Sequence, residues 1–176
     1  IGCLTQTKES REDDLENGWQ QLCDKHITKD DIVVGFSASG TTPFVLSILK
    51  HCRKEGIPTG CIVNNPHSPI AEWADHAVEV ITGPEFVTGS TRMKAGTSQK
   101  LILDMISTTL QIRQGRVEGN KMVNAKLINH KLIDRACRIF MERNSEYKDY
   151  EEVRQLILKA GSVKKAEMMI SRHFDM

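Results

Sequence analysis

The sequence has few aromatic residues, no long apolar run and no excess of charge of either sign. Aromatic residues make up 5% of its 176 positions, and no apolar stretch approaches the roughly 20 residues that a membrane-spanning helix needs. The 24 basic and 23 acidic side chains leave a formal net charge of +1, so no overall field attracts nucleic acid or an anionic membrane. The composition therefore predicts a globular protein with neither nucleic acid nor a membrane as its partner.

Cysteine is sparse as well, and its spacing is informative. The five cysteines are an odd number, lie at scattered positions and form no Cys-x-x-Cys pair; they are Cys3, Cys23, Cys52, Cys61 and Cys137. This pattern argues against a disulfide framework and a zinc site, and it predicts reduced thiols, buried as small apolar side chains, in a cytoplasmic protein. The six histidines are dispersed and show no plausible metal cluster, and we expect no cofactor.

The first half of the chain has the pattern of an α/β domain. Two short apolar runs bounded by turn residues, DIVVGF and TGCIVN, are typical of buried parallel strands, and HAVEVI offers a third strand. Between the first two runs, TTPFVLSILKHCRKEG predicts a helix, with Thr41 or Thr42 as its cap, Pro43 in its first turn and Gly56 at its end. A short helix, IAEWAD, precedes the third strand. We expect a three-layer α/β sandwich with a parallel sheet over residues 1–115.

The stretches before the first strand and after residue 96 predict helices. ESREDDLENGWQQLCDKH has a one-sided apolar stripe, which predicts a helix. The residues Ile1 to Leu4 have the character of a strand end. We therefore expect the chain to begin inside a domain. TSQKLILDMISTTLQIRQG is apolar on nearly every side, which predicts a buried helix. NKMVNAKLINHKLIDRACRIFMERN predicts a long amphipathic helix, and two short helices follow that turn at Gly161. Residues 116–176 are thus expected to form a helical appendage that ends in a small helical domain.

The loop GFSASGTTP, residues 35–43, has the composition of a phosphate-binding loop. It joins a strand end to a helix start, where backbone N–H groups meet the positive end of a helix dipole. Gly40 allows close backbone approach and the hydroxyls add donors. Thr41 stands where a nucleotide-binding P-loop has its lysine, so a phosphomonoester fits better than a nucleotide. The alternative is a tight turn with a threonine cap.

A second polar stretch, GPEFVTGSTRMKAGTSQK, follows the third predicted strand. It contains Glu85, Arg92 and Lys94 among glycines and hydroxyls. Loops that follow neighbouring parallel strands face the same sheet edge, where open α/β sheets bind ligands. The alternative is a capping loop whose charged side chains are simply solvated.

Four segments resemble, in order, the motifs of the N-acetylmuramic acid 6-phosphate etherases, which are bacterial members of the sugar-isomerase (SIS) domain superfamily. They are GFSASGTTPFV, NNPHSPIAEWAD, GPEFVTGSTRMKAGTSQKLILDMIST and NHKLIDRA, and the resemblance runs from about Glu9 to Gly161. The resemblance implies a SIS-type, flavodoxin-like fold. Animal glucokinase regulatory protein shares the third motif, so that motif alone does not establish catalysis.

The resemblance also implies a reaction and an assembly. These cytoplasmic etherases, which are carbon-oxygen lyases, remove D-lactate from N-acetylmuramic acid 6-phosphate during peptidoglycan recycling. A base takes the C2 proton, lactate leaves from C3, and water adds across the double bond to give N-acetylglucosamine 6-phosphate. No metal is used. The family implies a homodimer in which catalytic groups from both subunits meet.

The family motifs assign individual residues by position. The resemblance implies that Ser37, Ser39 and Thr42 hold the sugar phosphate and that Gly40 lets the backbone approach it. Lys94, together with Arg92, is a candidate for substrate or interface contacts.

Glu12 matches the catalytic acid/base carboxylate, although Ser10 and Arg11 replace a small Gly-Ala pair of the family. The family also has a glycine- and hydroxyl-rich loop and a second catalytic glutamate upstream, which nothing here matches. We therefore expect this stretch alone to be incomplete for the full reaction.

Three functions are compatible with these residues. The first is the etherase. The second is a non-catalytic sugar-phosphate sensor of the glucokinase regulatory type. The third, a phosphosugar isomerase, is disfavoured by the GPE…RMK block and by Glu12.

Overall fold

A computed structural model describes residues 9–174, with the side chains of residues 11–171. The strand end predicted at Ile1 to Leu4, and Cys3, lie outside the described residues. After a short 3-10 helix, Glu9–Asp13, the elements in chain order are α1 (Asn17–Cys23), β1 (Val33–Ser37), α2 (Pro43–Lys54), β2 (Thr59–Val63), α3 (Pro69–Trp73), β3 (His76–Glu79), α4 (Lys94–Arg113), β4 (Val117–Glu118), β5 (Lys121–Met122), α5 (His130–Arg143), α6 (Tyr150–Ala160) and α7 (Val163–Phe174).

The first three strands form one parallel sheet in the order β1-β2-β3. Val33 pairs with Thr59, and Gly60 pairs with His76, so all three strands end at the same edge. The central strand β2 is buried along its whole length, which explains its unbroken apolar run. The predicted strands and the α/β fold with a parallel sheet are confirmed.

Helix α2 connects β1 to β2 and packs against the sheet. Pro43 is at its first turn, where the missing N–H costs no hydrogen bond, and Gly56 follows its end with φ of 72°. Leu49 of α2 joins Cys61 and Val63 of β2 and Ile70 of α3 in an apolar core. This core holds α2 and α3 against the central strand of the sheet.

The described residues fall into two compact units that divide between Leu103 and Asp104, within α4. The division precedes the boundary after residue 115 that the sequence predicts, and that domain assignment stays a prediction. The second unit has its own core around Phe140, which is fully buried among Cys137, Val153 and Ile157. Helix α6 ends at Gly161 with φ of 82°, as the sequence predicts.

The helix predicted for residues 9–26 is interrupted. The structure has the 3-10 helix Glu9–Asp13 and then α1, which starts only at Asn17. The carboxylate of Asp14 accepts hydrogen bonds from the backbone N–H groups of Glu16 and Asn17, at 3.2 and 3.0 Å. This local bonding competes with a continuous helix and gives α1 a new beginning.

The long helix predicted for residues 120–144 is wrong in its first third. Residues 117–122 form a two-stranded antiparallel hairpin, and α5 begins at His130. Asn129 caps α5, because its side-chain oxygen accepts the N–H of Leu132 at 3.0 Å. The apolar periodicity of the sequence continued across this boundary and concealed the cap.

The predicted burial of the helix after Thr97 is also wrong for the described chain. Ala95 is the buried residue of α4. Large apolar side chains along the helix are 40–56% exposed, namely Leu101, Leu103, Met105, Ile106, Leu110 and Ile112. An apolar helix sequence predicts that the surface of the helix is covered. It does not say which residues or which chain cover that surface.

Cys52, Cys61 and Cys137 are free and buried, and burial raises the pKa of each thiol. Cys23 is exposed, which corrects the expectation that it is a buried apolar side chain. Within residues 9–174, no helix has the length and apolar character needed to cross a membrane.

Candidate functional site

The predicted phosphate loop, residues 37–42, is held by hydroxyl contacts; we call it the hydroxyl loop. The Ser37 hydroxyl is buried and lies at the end of β1. It accepts the Gly40 N–H at 3.0 Å, and it shares a hydrogen bond of 2.8 Å with the Thr42 hydroxyl. Its oxygen is also 3.3 Å from the Ser39 hydroxyl. The structure thus brings together the three hydroxyls that the sequence predicts.

Of these three residues, Ser39 is the one that reaches the cavity described below. Its side chain is exposed, and its oxygen accepts the N–H and the hydroxyl of Thr41, at 3.2 and 3.0 Å. Ser37 and Thr42 lie behind it, and Thr42 is half-buried. Among these three residues, Ser39 alone belongs to the described lining of the cavity.

Gly40 is in the loop because no side chain fits there. Its φ is +75°, and a Cβ atom at this position would lie 2.3 Å from both the Cβ and the Oγ of Ser68. The Gly40 carbonyl also accepts the N–H of Ile70 at 3.1 Å. The backbone of the loop therefore rests on the beginning of α3.

A cavity of about 580 Å³ opens at the carboxyl edge of the sheet, within the size range of small-molecule sites. Its wall comes from the loops after all three strands: Ala38 and Ser39 after β1, Asn64 and Asn65 after β2, and residues between Ile81 and Thr91 after β3, with Ala95 of α4. Glu85 is the one charged side chain among the described lining residues. The cavity offers neutral hydrogen-bonding groups rather than a cluster of cations.

Glu85 caps α4. Its two carboxylate oxygens accept the backbone N–H groups of Lys94 and Ala95, at 3.0 and 3.1 Å. These bonds, that of Lys94 foremost, hold the pKa of the Glu85 carboxyl below its ordinary value. Glu85 thus fills the start of α4 with a carboxylate, whereas the first turn of α2 has no acidic side chain.

Lys94 is directed toward the loop backbone. Its ammonium donates to the Pro84 carbonyl at 3.0 Å, and Lys94 is not among the described residues that line the cavity. Its assignment as a substrate contact stays a prediction.

Two asparagines that the sequence analysis did not select connect the walls of the cavity. Asn64, only 6% exposed, donates to the Val80 carbonyl and to the Ser98 hydroxyl, both at 2.8 Å, and accepts from Gln99 at 2.9 Å. Asn65 donates to the Ala38 carbonyl of the hydroxyl loop at 2.9 Å. The signal available in the sequence was a polar pair placed directly after a buried strand.

Glu12 lies in the 3-10 helix Glu9–Asp13, which packs against α2, and its side chain is exposed. It does not belong to the described lining of the cavity.

Within residues 9–174, no group of three His, Cys, Asp or Glu side chains is placed to hold a metal ion.

Residues 18–108, which contain the hydroxyl loop and the cavity, match the family described as the SIS domain. The chain belongs to the SIS domain family. The match includes the sheet, α2 and the first part of α4, so the α/β fold and the family agree.

Curated relatives extend the resemblance beyond this SIS domain. The chain is 53% identical over 165 residues to an N-acetylmuramic acid 6-phosphate etherase of Bacteroides thetaiotaomicron. The aligned segment covers 94% of this chain and 59% of that protein. An etherase of Porphyromonas gingivalis is also 53% identical, over 89% of this chain and 56% of its own length. One of Yersinia pestis is 49% identical over 80% of this chain and 48% of its own length. The chain thus spans about half the length of the curated relatives it matches.

Proposed function

We propose that the protein containing this chain is an N-acetylmuramic acid 6-phosphate etherase. The observation that carries the proposal is the 53% identity to a protein of that name over 94% of the chain. That aligned length is long enough to include both the hydroxyl loop and the helical residues after α4. The protein would release D-lactate and N-acetylglucosamine 6-phosphate and would act as a carbon-oxygen lyase.

The proposed phosphate position is the hydroxyl loop. Ser37, Ser39 and Thr42 supply hydroxyl groups at the start of α2, and a helix start favours an anion. Gly40 is proposed to approach the ligand through its backbone, which packs against Ser68 on its other side. In this binding mode the phosphate is held by neutral donors, and the sugar extends into the cavity of about 580 Å³.

Glu12 is the proposed acid/base group that takes the C2 proton. A carboxylate that abstracts a weakly acidic C–H proton works best when it is held close to that proton and partly withdrawn from water. Glu12 is exposed in this chain, so its withdrawal from water would depend on groups of the complete enzyme outside this stretch.

Lys94 is proposed as a weaker contact to the substrate, because its ammonium would have to leave the Pro84 carbonyl.

We also propose that the protein is a cytoplasmic homodimer. The exposed apolar side chains of α4 support the dimer, since so many large apolar side chains exposed along one helix are normally covered by a partner. The buried free thiols of Cys52, Cys61 and Cys137 are compatible with a reducing compartment.

The test is the release of D-lactate by the full-length protein from N-acetylmuramic acid 6-phosphate, followed with D-lactate dehydrogenase. We expect release to require the 6-phosphate, so N-acetylmuramic acid itself serves as the control. Binding of N-acetylglucosamine 6-phosphate without any release of D-lactate would instead identify a sugar-phosphate sensor.

A further inference from the structure

The cavity has two walls, and each is attached to one of two consecutive asparagines. One wall is the hydroxyl loop, residues 37–42. The other, which we call the far wall, is formed by residues 81–91 and the start of α4. Asn64 and Asn65 lie between them, directly after the last residue of β2.

Asn65 is bonded to the hydroxyl loop. Its side-chain N–H donates to the carbonyl of Ala38, which lies between Ser37 and Ser39, at 2.9 Å. The same carbonyl accepts the backbone N–H of Asn64 at 3.1 Å, so this peptide is held by two donors. Because Ser37 and Ser39 flank Ala38, these two bonds hold the backbone that carries both hydroxyls.

Asn64 is bonded to the far wall. Both hydrogens of its amide are used, on Val80 after β3 and on Ser98 of α4, and its oxygen accepts from Gln99. Ser98 in turn donates to the Ala95 carbonyl at 2.8 Å. Because the amide is buried, both of its hydrogens are donated to the far wall, so Asn64 has no donor left for a ligand. Its contribution to the cavity is therefore to position the far wall.

We propose that Asn64 and Asn65 are positioning residues with separate tasks, Asn65 for the phosphate end of the ligand and Asn64 for the sugar end. The proposal rests on the proposed function in one respect, that the phosphate occupies the hydroxyl loop. A ligand anchored there extends toward the far wall, since the cavity lies between the two. Loss of Asn65 then disturbs the anchor itself, whereas loss of Asn64 disturbs the surface that meets the rest of the ligand.

The two tasks are separated by two probes of different size, inorganic phosphate and N-acetylglucosamine 6-phosphate, whose dissociation constants are measured on the full-length protein. Asn65→Ala should weaken both probes by a similar factor, roughly two- to tenfold, the usual effect of one hydrogen bond. Asn64→Ala should weaken the sugar phosphate by roughly tenfold or more and leave inorganic phosphate within about twofold. Asn124→Ala in the second compact unit is the matched control and should change neither constant.

A buried asparagine with three hydrogen bonds can be needed for folding, so Ser98→Ala supplies a second variant. It removes one bond to Asn64 and keeps the asparagine, and it should weaken the sugar phosphate selectively in the same way. A general structural role would weaken both probes together for every variant, and that result would overturn the proposal. So would unchanged phosphate binding in Asn65→Ala.

The release of D-lactate by the unaltered protein is measured on the same preparation. If release fails while the two probes still separate the variants, the proposed reaction is wrong and the positioning roles stand. If release succeeds and the probes do not separate the variants, the positioning roles are wrong and the proposed reaction stands.

Discussion

The hydroxyls of Ser37 and Thr42, five residues apart in the chain, share a hydrogen bond of 2.8 Å across the turn between β1 and α2. The same Ser37 oxygen accepts the Gly40 N–H, so one buried hydroxyl orders both the backbone and the side chains of the loop. An incoming phosphate can replace the Ser37–Thr42 bond, because each hydroxyl can turn its hydrogen toward an anionic oxygen. The loop is therefore ordered without a ligand.

Removing either hydroxyl should weaken the binding of a sugar phosphate. Thr42→Val keeps the shape of the side chain and removes one donor, so we expect the dissociation constant of N-acetylglucosamine 6-phosphate to rise roughly ten- to hundredfold, as for a hydrogen bond to a charged group. Ser37→Ala should show a similar rise and also a lower unfolding midpoint, because the Gly40 N–H loses its acceptor. Ser171→Ala, an exposed serine of α7, is the control. Unchanged binding in both loop variants would exclude the hydroxyl loop as the phosphate site.

Gly40→Ala should be much more harmful than an alanine at another glycine with positive φ. Gly119 is the matched control: its φ is +59°, and a Cβ there would meet no described atom within 4 Å. We expect Gly119→Ala to cost about 1 kcal/mol of unfolding free energy from backbone strain alone. Gly40→Ala adds the collision with Ser68 and should cost at least about 3 kcal/mol in total. Urea unfolding of both variants measures the difference, and equal losses would contradict the close packing at Gly40.

The sequence was sufficient for features that depend on local patterns. The unbroken apolar run of β2 predicted a central strand, and Pro43 and Gly56 marked the two ends of α2. The hydroxyl loop was predicted from the glycine and hydroxyl residues between β1 and α2. Each of these signals lies within a few residues of the feature that it predicts.

Other features depend on contacts between distant residues, and these the sequence did not reveal. Asn64 and Gln99 are 35 positions apart, and no local pattern relates them. The exposure of Ile106 was missed for a different reason, since an apolar helix predicts burial without identifying what covers it. The early start predicted for α5 failed because Asn129 acts as a cap inside a segment that still has helical periodicity.

The capping of α4 by Glu85 should make stability depend on pH. The pKa of this carboxyl is lowered in the folded state, so its contribution is complete above the ordinary pKa of a glutamate and is lost as the pH falls through the lowered value. Glu85→Gln removes the charge and should lower the urea midpoint at about pH 7, with the difference from the unaltered protein disappearing as the pH falls below the lowered pKa of Glu85. Glu55→Gln, an exposed glutamate after α2, serves as the control. A difference that persists at low pH would mean that the carboxylate charge is not the cause.

The exposed apolar surface of α4 should disappear in a dimer. An obligate interface exceeds roughly 2,000 Å² in total and tolerates a buried unpaired charge poorly. Ile106 and Met105 point to different sides of α4 and are 40% and 56% exposed, so a lysine at either should leave the single chain folded. We expect the full-length protein to sediment as a dimer at micromolar concentration and at least one of Ile106→Lys and Met105→Lys to sediment as a monomer. Gln155→Lys on α6 should remain dimeric, and a monomeric unaltered protein would refute the dimer.

Glu12 is the residue on which the proposed chemistry depends most directly. In the full-length protein, Glu12→Gln keeps the size of the side chain and removes its basic oxygen. Binding of N-acetylglucosamine 6-phosphate should survive, because the hydroxyl loop is unchanged. Release of D-lactate should fall by about 10²-fold or more, the usual effect of losing a positioned general base.

The measurement that assigns this step is exchange of the C2 hydrogen of N-acetylglucosamine 6-phosphate with deuterated water, followed by NMR. Exchange reports removal of the C2 proton even when no lactate leaves, so it isolates the step assigned to Glu12. Glu16→Gln, an exposed glutamate just before α1, is the matched control and should exchange at the unaltered rate. The Glu12 variant should exchange at least about 10²-fold more slowly. If it exchanges as fast as the control, another group takes the proton and Glu12 is not the base.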